Sequence, residues 1–376
     1  MSPLPVARAE IVVDLAAIRH NVRTLRELTG VQMMTVVKAD GYGHGMVEVA
    51  RAARGAGSEW IGVATIDEAL ALREAGDTGR LLCWLTVPGE DHAAAIAADV
   101  DLTAYSVAEL HEIEDAAGQV GRPARLQLKV DTGLSRGGAP MDTWSDVVAA
   151  AAAGERDGTL AVTGVWSHLA ASDEPDHPAN DAQEAVFREA LDIAAAAGLR
   201  PEVRHLANSA GAILRPSARF DLVRVGLASY GLDPAPGHTP DLGLRPAMTV
   251  RATLAQTKPL AAGASVSYGH TWTAETPTTV GLVPVGYADG VPRHASNVAQ
   301  VLVDGKRRAI RGRVCMDQFV VDLDGDLPSA GRDVVLFGPG TDGEPTAQDW
   351  AEASGTISYE IVTRVGGRMS RRYVDK

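Results

Sequence analysis

Short apolar runs alternate with amphipathic stretches along the first two-thirds of the chain. Runs rich in β-branched residues predict strands over 11–13, 33–37, 60–64, 81–85, 101–104, 126–130, 162–167, 203–206 and 222–225. Between them, apolar residues recur at helical spacing over 15–28, 46–53, 67–75, 107–116, 142–153 and 182–197. Gly30, Gly76 and Gly198 fall just past the last periodic residue of three of these stretches, where a helix wants a left-handed end. Strand–helix alternation of this kind predicts a parallel sheet covered by helices. An open doubly wound sheet and a closed (β/α)8 barrel both fit the pattern. About eight units in roughly 230 residues is a barrel's usual size, and the barrel is the expectation.

The pattern changes at 233–246, where "DPAPGHTPDLGLRP" carries four prolines and reads as a connection between domains. Beyond it the chain reads as strands punctuated by Asp304-Gly305 and Asp324-Gly325 turns, which predicts a mainly antiparallel β domain. The expected division is a barrel over 11–240 and a β domain over 241–376, with residues 1–10 associated with the latter.

Composition narrows the function. An apolar fraction of 45% and a charged fraction of 22% are those of a folded globular protein. A net charge of -13 argues against nucleic acid or an anionic membrane as the main partner, while leaving room for a small anion in a local positive pocket. Glu10 and Asp14 interrupt the N-terminal segment where a signal peptide needs an apolar core, and no apolar run approaches the roughly 20 residues of a membrane span. Cys83 and Cys315 are too few for a disulfide framework or a cysteine-based zinc site. A cytoplasmic protein without a metal centre is expected.

Only five lysines occur, at positions 38, 129, 258, 306 and 376, so each one near a motif counts. The densest motif is "MMTVVKADGYGHG" over 33–45, where an apolar strand ends in Lys38 and a glycine-rich turn carries Tyr42 and His44. A solvated lysine on an ordinary strand–turn–helix connection would look the same. In a barrel, however, this strand end faces the active side. A desolvated lysine there has a lowered pKa and a nucleophilic amine, the properties of a Schiff-base former. The turn is neither a dinucleotide fingerprint, having Met46 where the last glycine belongs, nor a P-loop. Other strand ends supply Asp131 and Arg136, His168, Asn208 and Ser209, and Arg224 with Gly226. Singly, Asn208 or Ser209 reads as a helix N-cap and His168 as an interior histidine. Together they suit a phosphate-bearing carbonyl cofactor and a carboxylate substrate.

The segment "VVKADGYGHG" resembles the cofactor-binding segment of bacterial alanine racemases, pyridoxal-phosphate enzymes of fold type III. The resemblance continues in order through "KVDTGLSR", "ANSAG", "DLVRVGLASYGL", "SYGHTW", "VPVGYADGVPR", "RVCMDQFVVDL" and "ISYEIVTR". It implies a (β/α)8 barrel followed by a β domain, and interconversion of L- and D-alanine that supplies D-alanine for peptidoglycan. It implies that Lys38 holds pyridoxal phosphate as a Schiff base. Tyr42, Ser209, the backbone at Gly226 and Leu227, and Tyr359 would hold the phosphate. His168 and Asn208 would lie at the ring, and Arg224 would face the ring nitrogen. Arg136 would orient the substrate carboxylate, with Met316 nearby and Tyr287 at the entrance. Lys129 matches a lysine that many relatives carbamylate; an ion pair with Asp131 is the plainer alternative.

Two bases are implied, Lys38 on one face of the α-carbon and Tyr268 on the other. A free tyrosine titrates near 10, so that role calls for cationic or hydrogen-bonding neighbours. The resemblance further implies a homodimer whose sites are completed in trans by Tyr268, Tyr287 and Met316. A fold-type III decarboxylase would place an acid where Arg224 stands. A barrel-only cofactor-binding protein would lack the second domain, and a broad-specificity racemase is usually exported.

Overall fold

The computed structural model describes residues 8–375. Strand β1 (Ala9–Asp14) precedes eight short parallel strands: β2 (Gln32–Val36), β3 (Trp60–Val63), β4 (Arg80–Cys83), β5 (Leu102–Ala104), β6 (Ala124–Lys129), β7 (Leu160–Trp166), β8 (Val203–His205) and β9 (Leu222–Val225). They form two parallel sheets, ordered β4-β3-β2-β9 and β5-β6-β7-β8. A parallel bridge from Leu82 to Asp101 joins them at one seam. At the other seam, Asp221 N–H donates to Arg204 O at 3.1 Å and Arg224 N–H to Ala207 O at 3.0 Å. Eight strands thus curl into the expected (β/α)8 barrel.

The helices form where the periodicity places them, and their ends show why. Asp14 caps helix Leu15–Thr29 by accepting the Ala16 and Ala17 N–H groups. Gly30, Gly76 and Gly198 all take positive φ, at 68°, 92° and 96°, and stop three helices at low cost. Helices Met141–Asp157 and Ala179–Ala196 are tied by fully buried Trp144, whose indole N–H donates to Ala190 O at 2.9 Å.

The C-terminal third contributes β10 (Met248–Thr253), β11 (Gln256–Leu260), β12 (Thr278–Val283), β13 (Gln300–Val303), β14 (Lys306–Arg311), β15 (Phe319–Asp322), β16 (Asp333–Phe337) and β17 (Ser370–Val374). They build a mainly antiparallel nine-stranded sheet, ordered β11-β12-β15-β14-β13-β16-β10-β1-β17. The strand expected over 11–13 therefore forms as β1, but outside the barrel. It pairs antiparallel with β10 and parallel with β17. The eight strands β2–β9 already complete the barrel. A strand ahead of them finds open backbone partners only in the other sheet. Two helices, Ala347–Ser354 and Ser358–Arg364, interrupt this β region. Among the described residues, no helix is long and apolar enough to cross a membrane.

Charge is distributed unequally between the two ends of the barrel. At the N-terminal end the fully buried Asp101 pairs with Arg80 at 2.8 Å and Arg125 at 2.6 Å. At the C-terminal end Lys38, Lys129, Arg136 and Arg224 gather, and among the described residues none of the four forms an ion pair. Cations gathered without direct carboxylate pairing repel one another, and Glu68 and Asp131 offset this only in part, so this end suits an anion.

Candidate active site

A cavity of about 710 Å³ opens at the C-terminal ends of the barrel strands. Lys38, Tyr42, Lys129, Arg136, His168, Asn208, Ser209, Arg224, Gly226, Leu227 and Tyr359, all anticipated from sequence, line it. Tyr268, Tyr287 and Met316 do not.

Lys38 follows β2 after one intervening residue, and its Nζ lies 5.8 Å from the centre of the Trp84 ring. Burial pulls its pKa below the ordinary lysine value and the Arg136 charge adds to that, against an opposing pull from Glu68. More of the amine is therefore neutral than in free lysine. The turn after it is left-handed, with φ near +50° to +80° from Ala39 through Gly43. Gly43 is required there. At its φ of +78° an added Cβ would also lie 2.2 Å from Val362 O, on the helix that carries Tyr359. Gly43→Ala should therefore part the turn from that helix, lowering thermal stability by about 2–4 kcal/mol. An unchanged melting temperature would contradict this packing.

Arg224, on β9, is the electrostatic centre of the cavity wall. Its terminal nitrogens donate to His205 Nδ1 at 2.7 Å, Ser167 O at 2.7 Å, Leu206 O at 3.0 Å, His168 Nδ1 at 3.0 Å and His205 O at 3.2 Å. Burial brings its pKa down only to about 9, which leaves it cationic at neutral pH. Burial and this charge keep His168 and His205 neutral, so each can accept at Nδ1. His205 then carries its proton at Nε2 and donates to Gln127 Oε1 at 2.7 Å. All five hydrogen bonds use the terminal nitrogens rather than Nε. The Trp166 ring lies 4.7 Å from this guanidinium and 4.6 Å from Lys129 Nζ, and so faces two cations.

Around the rest of the cavity the donors converge. Burial, then Arg224 and Arg136, lowers the pKa of Lys129 to about 8. Arg136, exposed, makes no hydrogen bond among the described residues. Ser209 is buried and its Oγ accepts from Gly226 N–H at 3.0 Å, which leaves the hydroxyl proton free to donate. A Cβ at Gly226 would sit 2.3 Å from Tyr42 Oη, so only glycine lets backbone and phenol approach this closely. The Tyr42 ring packs 4.9 Å from Tyr230 and 6.2 Å from Tyr359, and burial raises the pKa of both cavity tyrosines, keeping them protonated donors. Asn208 does act as an N-cap: its Oδ1 accepts Gly211 N–H at 3.0 Å and Ser172 Oγ–H at 2.8 Å. Asn208 also lines the cavity.

Tyr268, Met316 and Tyr287 lie together on the surface of the C-terminal domain, 72%, 53% and 42% exposed. Tyr287 N–H donates to Cys315 O at 3.1 Å and Ala288 N–H to Met316 O at 3.0 Å, which joins their two loops. Ser267 Oγ donates to Arg313 O at 2.7 Å, and the Arg313 guanidinium lies against Gly269, beside Tyr268. Three exposed side chains of this kind on adjoining loops form an unusual patch.

Sequence reasoning did not single out Trp84, Trp166, His205 or Gln127. His205 stands at the end of β8, three residues before Asn208. Its position pointed to the barrel, but its partnership with Arg224 comes from a neighbouring strand.

Sequence models of the alanine racemase N-terminal and C-terminal domains match residues 13–234 and 247–373. The chain is 57% identical to the alanine racemase of Salinispora arenicola over 97% of its own length and 98% of the relative's. It is 54% identical to that of Streptomyces coelicolor, over 99% and 97%. The solved structure of alanine racemase from Streptomyces coelicolor superposes with a TM-score of 0.97 at 54% identity, covering 98% of both chains. That from D-cycloserine-producing Streptomyces lavendulae gives 0.97 at 51% identity, also over 98% of both. With two family domains matched in order and relatives of this identity along nearly its whole length, the chain belongs to the alanine racemase family.

Proposed function

We propose that the chain interconverts L- and D-alanine with pyridoxal phosphate bound in the barrel cavity. The observation that carries this reading is the group of four cations, Lys38, Lys129, Arg136 and Arg224, around one cavity, none of them in an ion pair among the described residues. The donor set fits the cofactor. The Ser209 hydroxyl, the phenols of Tyr42 and Tyr359 and the backbone at Gly226 and Leu227 suit a phosphate, and the cradle at Gly226 is one a Cβ would fill. Lys38 supplies the amine that attaches the carbonyl. When bound, the cofactor supplies the electron withdrawal that makes an amino acid's α-proton removable.

The remaining work falls to side chains. His168 and Asn208 would border the ring. Arg224 would face the ring nitrogen as a cation and leave it unprotonated, which would weaken the electron sink and favour prompt return of the α-proton over transamination. An aspartate there would do the opposite, and this separates the reading from decarboxylation. Arg136 orients the carboxylate. Lys38 moves the α-proton of D-alanine and Tyr268 that of L-alanine. Tyr268 is exposed and outside its own chain's cavity, so it serves the site of a second copy. Tyr287 and Met316 accompany it at the entrance and the carboxylate. The assembly is then a two-fold homodimer. In the cell this activity supplies D-alanine for peptidoglycan from the cytoplasm.

Incubation with L-alanine and pyridoxal phosphate, followed by chiral chromatography, should give D-alanine at unchanged total amine. Pyruvate or carbon dioxide as the main product would overturn the reading.

Lys129 adds a pH dependence. Only its neutral amine reacts with carbon dioxide, and that fraction grows as pH rises through about 8. With 13C-bicarbonate, a carbamate carbon signal should increase from pH 6 to pH 9 and vanish in Lys129→Arg. A signal absent at pH 9 would leave Lys129 a plain cation.

A further inference from the structure

The turn after Lys38 is held in a conformation that L-residues avoid. Ala39, Asp40, Gly41 and Tyr42 have φ of 53°, 52°, 62° and 52°. A residue with a Cβ loses roughly 1–2 kcal/mol in this region, and three of the four carry one. Such a segment persists only where its surroundings over-determine it. Two carboxylates account for its first half. Glu68 accepts Ala39 N–H at 2.7 Å; Asp40 accepts Met46 N–H at 2.9 Å and pairs with Arg371 at 2.8 Å. Neither touches the carbonyls of the second half.

His44 does. Its Nδ1 lies 2.9 Å from Tyr42 O and 3.1 Å from Gly41 O. Gly41 O also receives the His44 backbone N–H, but Tyr42 O has no other partner among the described residues. Both neighbours are acceptors, so Nδ1 must carry the ring proton. Nε2 is buried and without a partner. Burial takes the ring's pKa down to about 4, so it stays neutral with its proton at Nδ1. The ring also packs 4.5 Å from Tyr230, whose hydroxyl donates to Val36 O at 2.9 Å, two residues before Lys38. A single imidazole therefore connects the turn to the strand that delivers the lysine.

We propose that His44 is a positioning residue for Lys38 and Tyr42, its Nδ1–H closing the left-handed turn that sets the direction of both side chains. This rests on the reading of Lys38 as the cofactor's anchor. Leucine would fill the same space and donate nothing. Asparagine would keep an N–H at nearly the same distance from its Cβ.

Wild type, His44→Leu and His44→Asn should be compared in two ways. In the cofactor-free protein, acetic anhydride labelling of Lys38, read by peptide mass spectrometry against exposed Lys306, reports the amine without any catalysis. In the loaded protein, kcat, KM and the pyridoxal phosphate Kd are measured. His44→Leu should change the Lys38 labelling ratio, raise Kd and lower kcat about tenfold with KM little moved, and His44→Asn should recover most of each. Equal values in all three proteins, or equal losses in Leu and Asn, would overturn the proposal. Should His44→Leu fail to fold, nitrogen-15 NMR of wild-type histidines decides instead: the His44 proton on Nδ1 is expected, and on Nε2 would overturn it. If the alanine reading alone fails, Lys38 labelling still depends on residue 44. If this inference alone fails, wild-type racemisation persists with Lys38 labelling indifferent to that residue.

Discussion

Lys38→Ala is expected to reduce racemisation by about a thousandfold or more and to remove the visible absorbance of bound pyridoxal phosphate. On the proposed reading, one substitution takes away both the covalent attachment and the base on one face of the α-carbon, so the losses compound. The fold should survive. Lys38 makes no ion pair among the described residues, and its amine is partly desolvated beside the like charge of Arg136. Removing it relieves that repulsion, and the melting temperature should not fall. The result also distinguishes two lysines. Among the described residues, Lys129 is the only other lysine lining the cavity. If the absorbance band survives Lys38→Ala and disappears in Lys129→Ala, the anchor lies on β6 instead.

Tyr268→Phe tests the opposite face. The hydroxyl it removes is on a residue 72% exposed, so stability should be unchanged. Turnover should nevertheless fall about a hundredfold to ten-thousandfold, the usual worth of a positioned acid or base. The loss should also be lopsided. In deuterated water, exchange of the α-hydrogen from L-alanine should slow far more than exchange from D-alanine, which Lys38 still serves. Equal slowing of both, or of neither, would remove Tyr268 from the chemistry.

Much of this was legible in the chain because it is local. Strand–helix alternation, glycines at helix ends and an apolar strand ending in Lys38 are fixed by neighbours a few residues away. The barrel follows from them, and so does the convergence of Lys129, Arg136, Ser209 and Arg224 on one mouth, since a parallel barrel sends every strand end the same way. Features that depend on distant partners did not appear. Ile11 and Val13 have the apolar character of a barrel strand, yet β1 pairs with β10 and β17, some 240 and 360 residues away. His205 sits at a strand end like others, and its importance comes from Arg224 on the next strand. The left-handed turn at Ala39, Asp40 and Tyr42 was hidden for a further reason. Its residues are not turn formers in the way glycine is, and the forces holding them come from Glu68, Arg371 and His44.

Roles assigned to Tyr268, Tyr287 and Met316 rest on resemblance, and their exposed placement gives that resemblance a physical test. If Tyr268 works in a second copy's cavity, two separately inactive variants should repair each other. Lys38→Ala and Tyr268→Phe homodimers are dissociated, mixed in equal amounts and reassociated. Half the dimers are then mixed, and each holds one site with both defects and one with none. The account predicts recovery to about a quarter of wild-type racemisation. A mixture no more active than its two parents would contradict it.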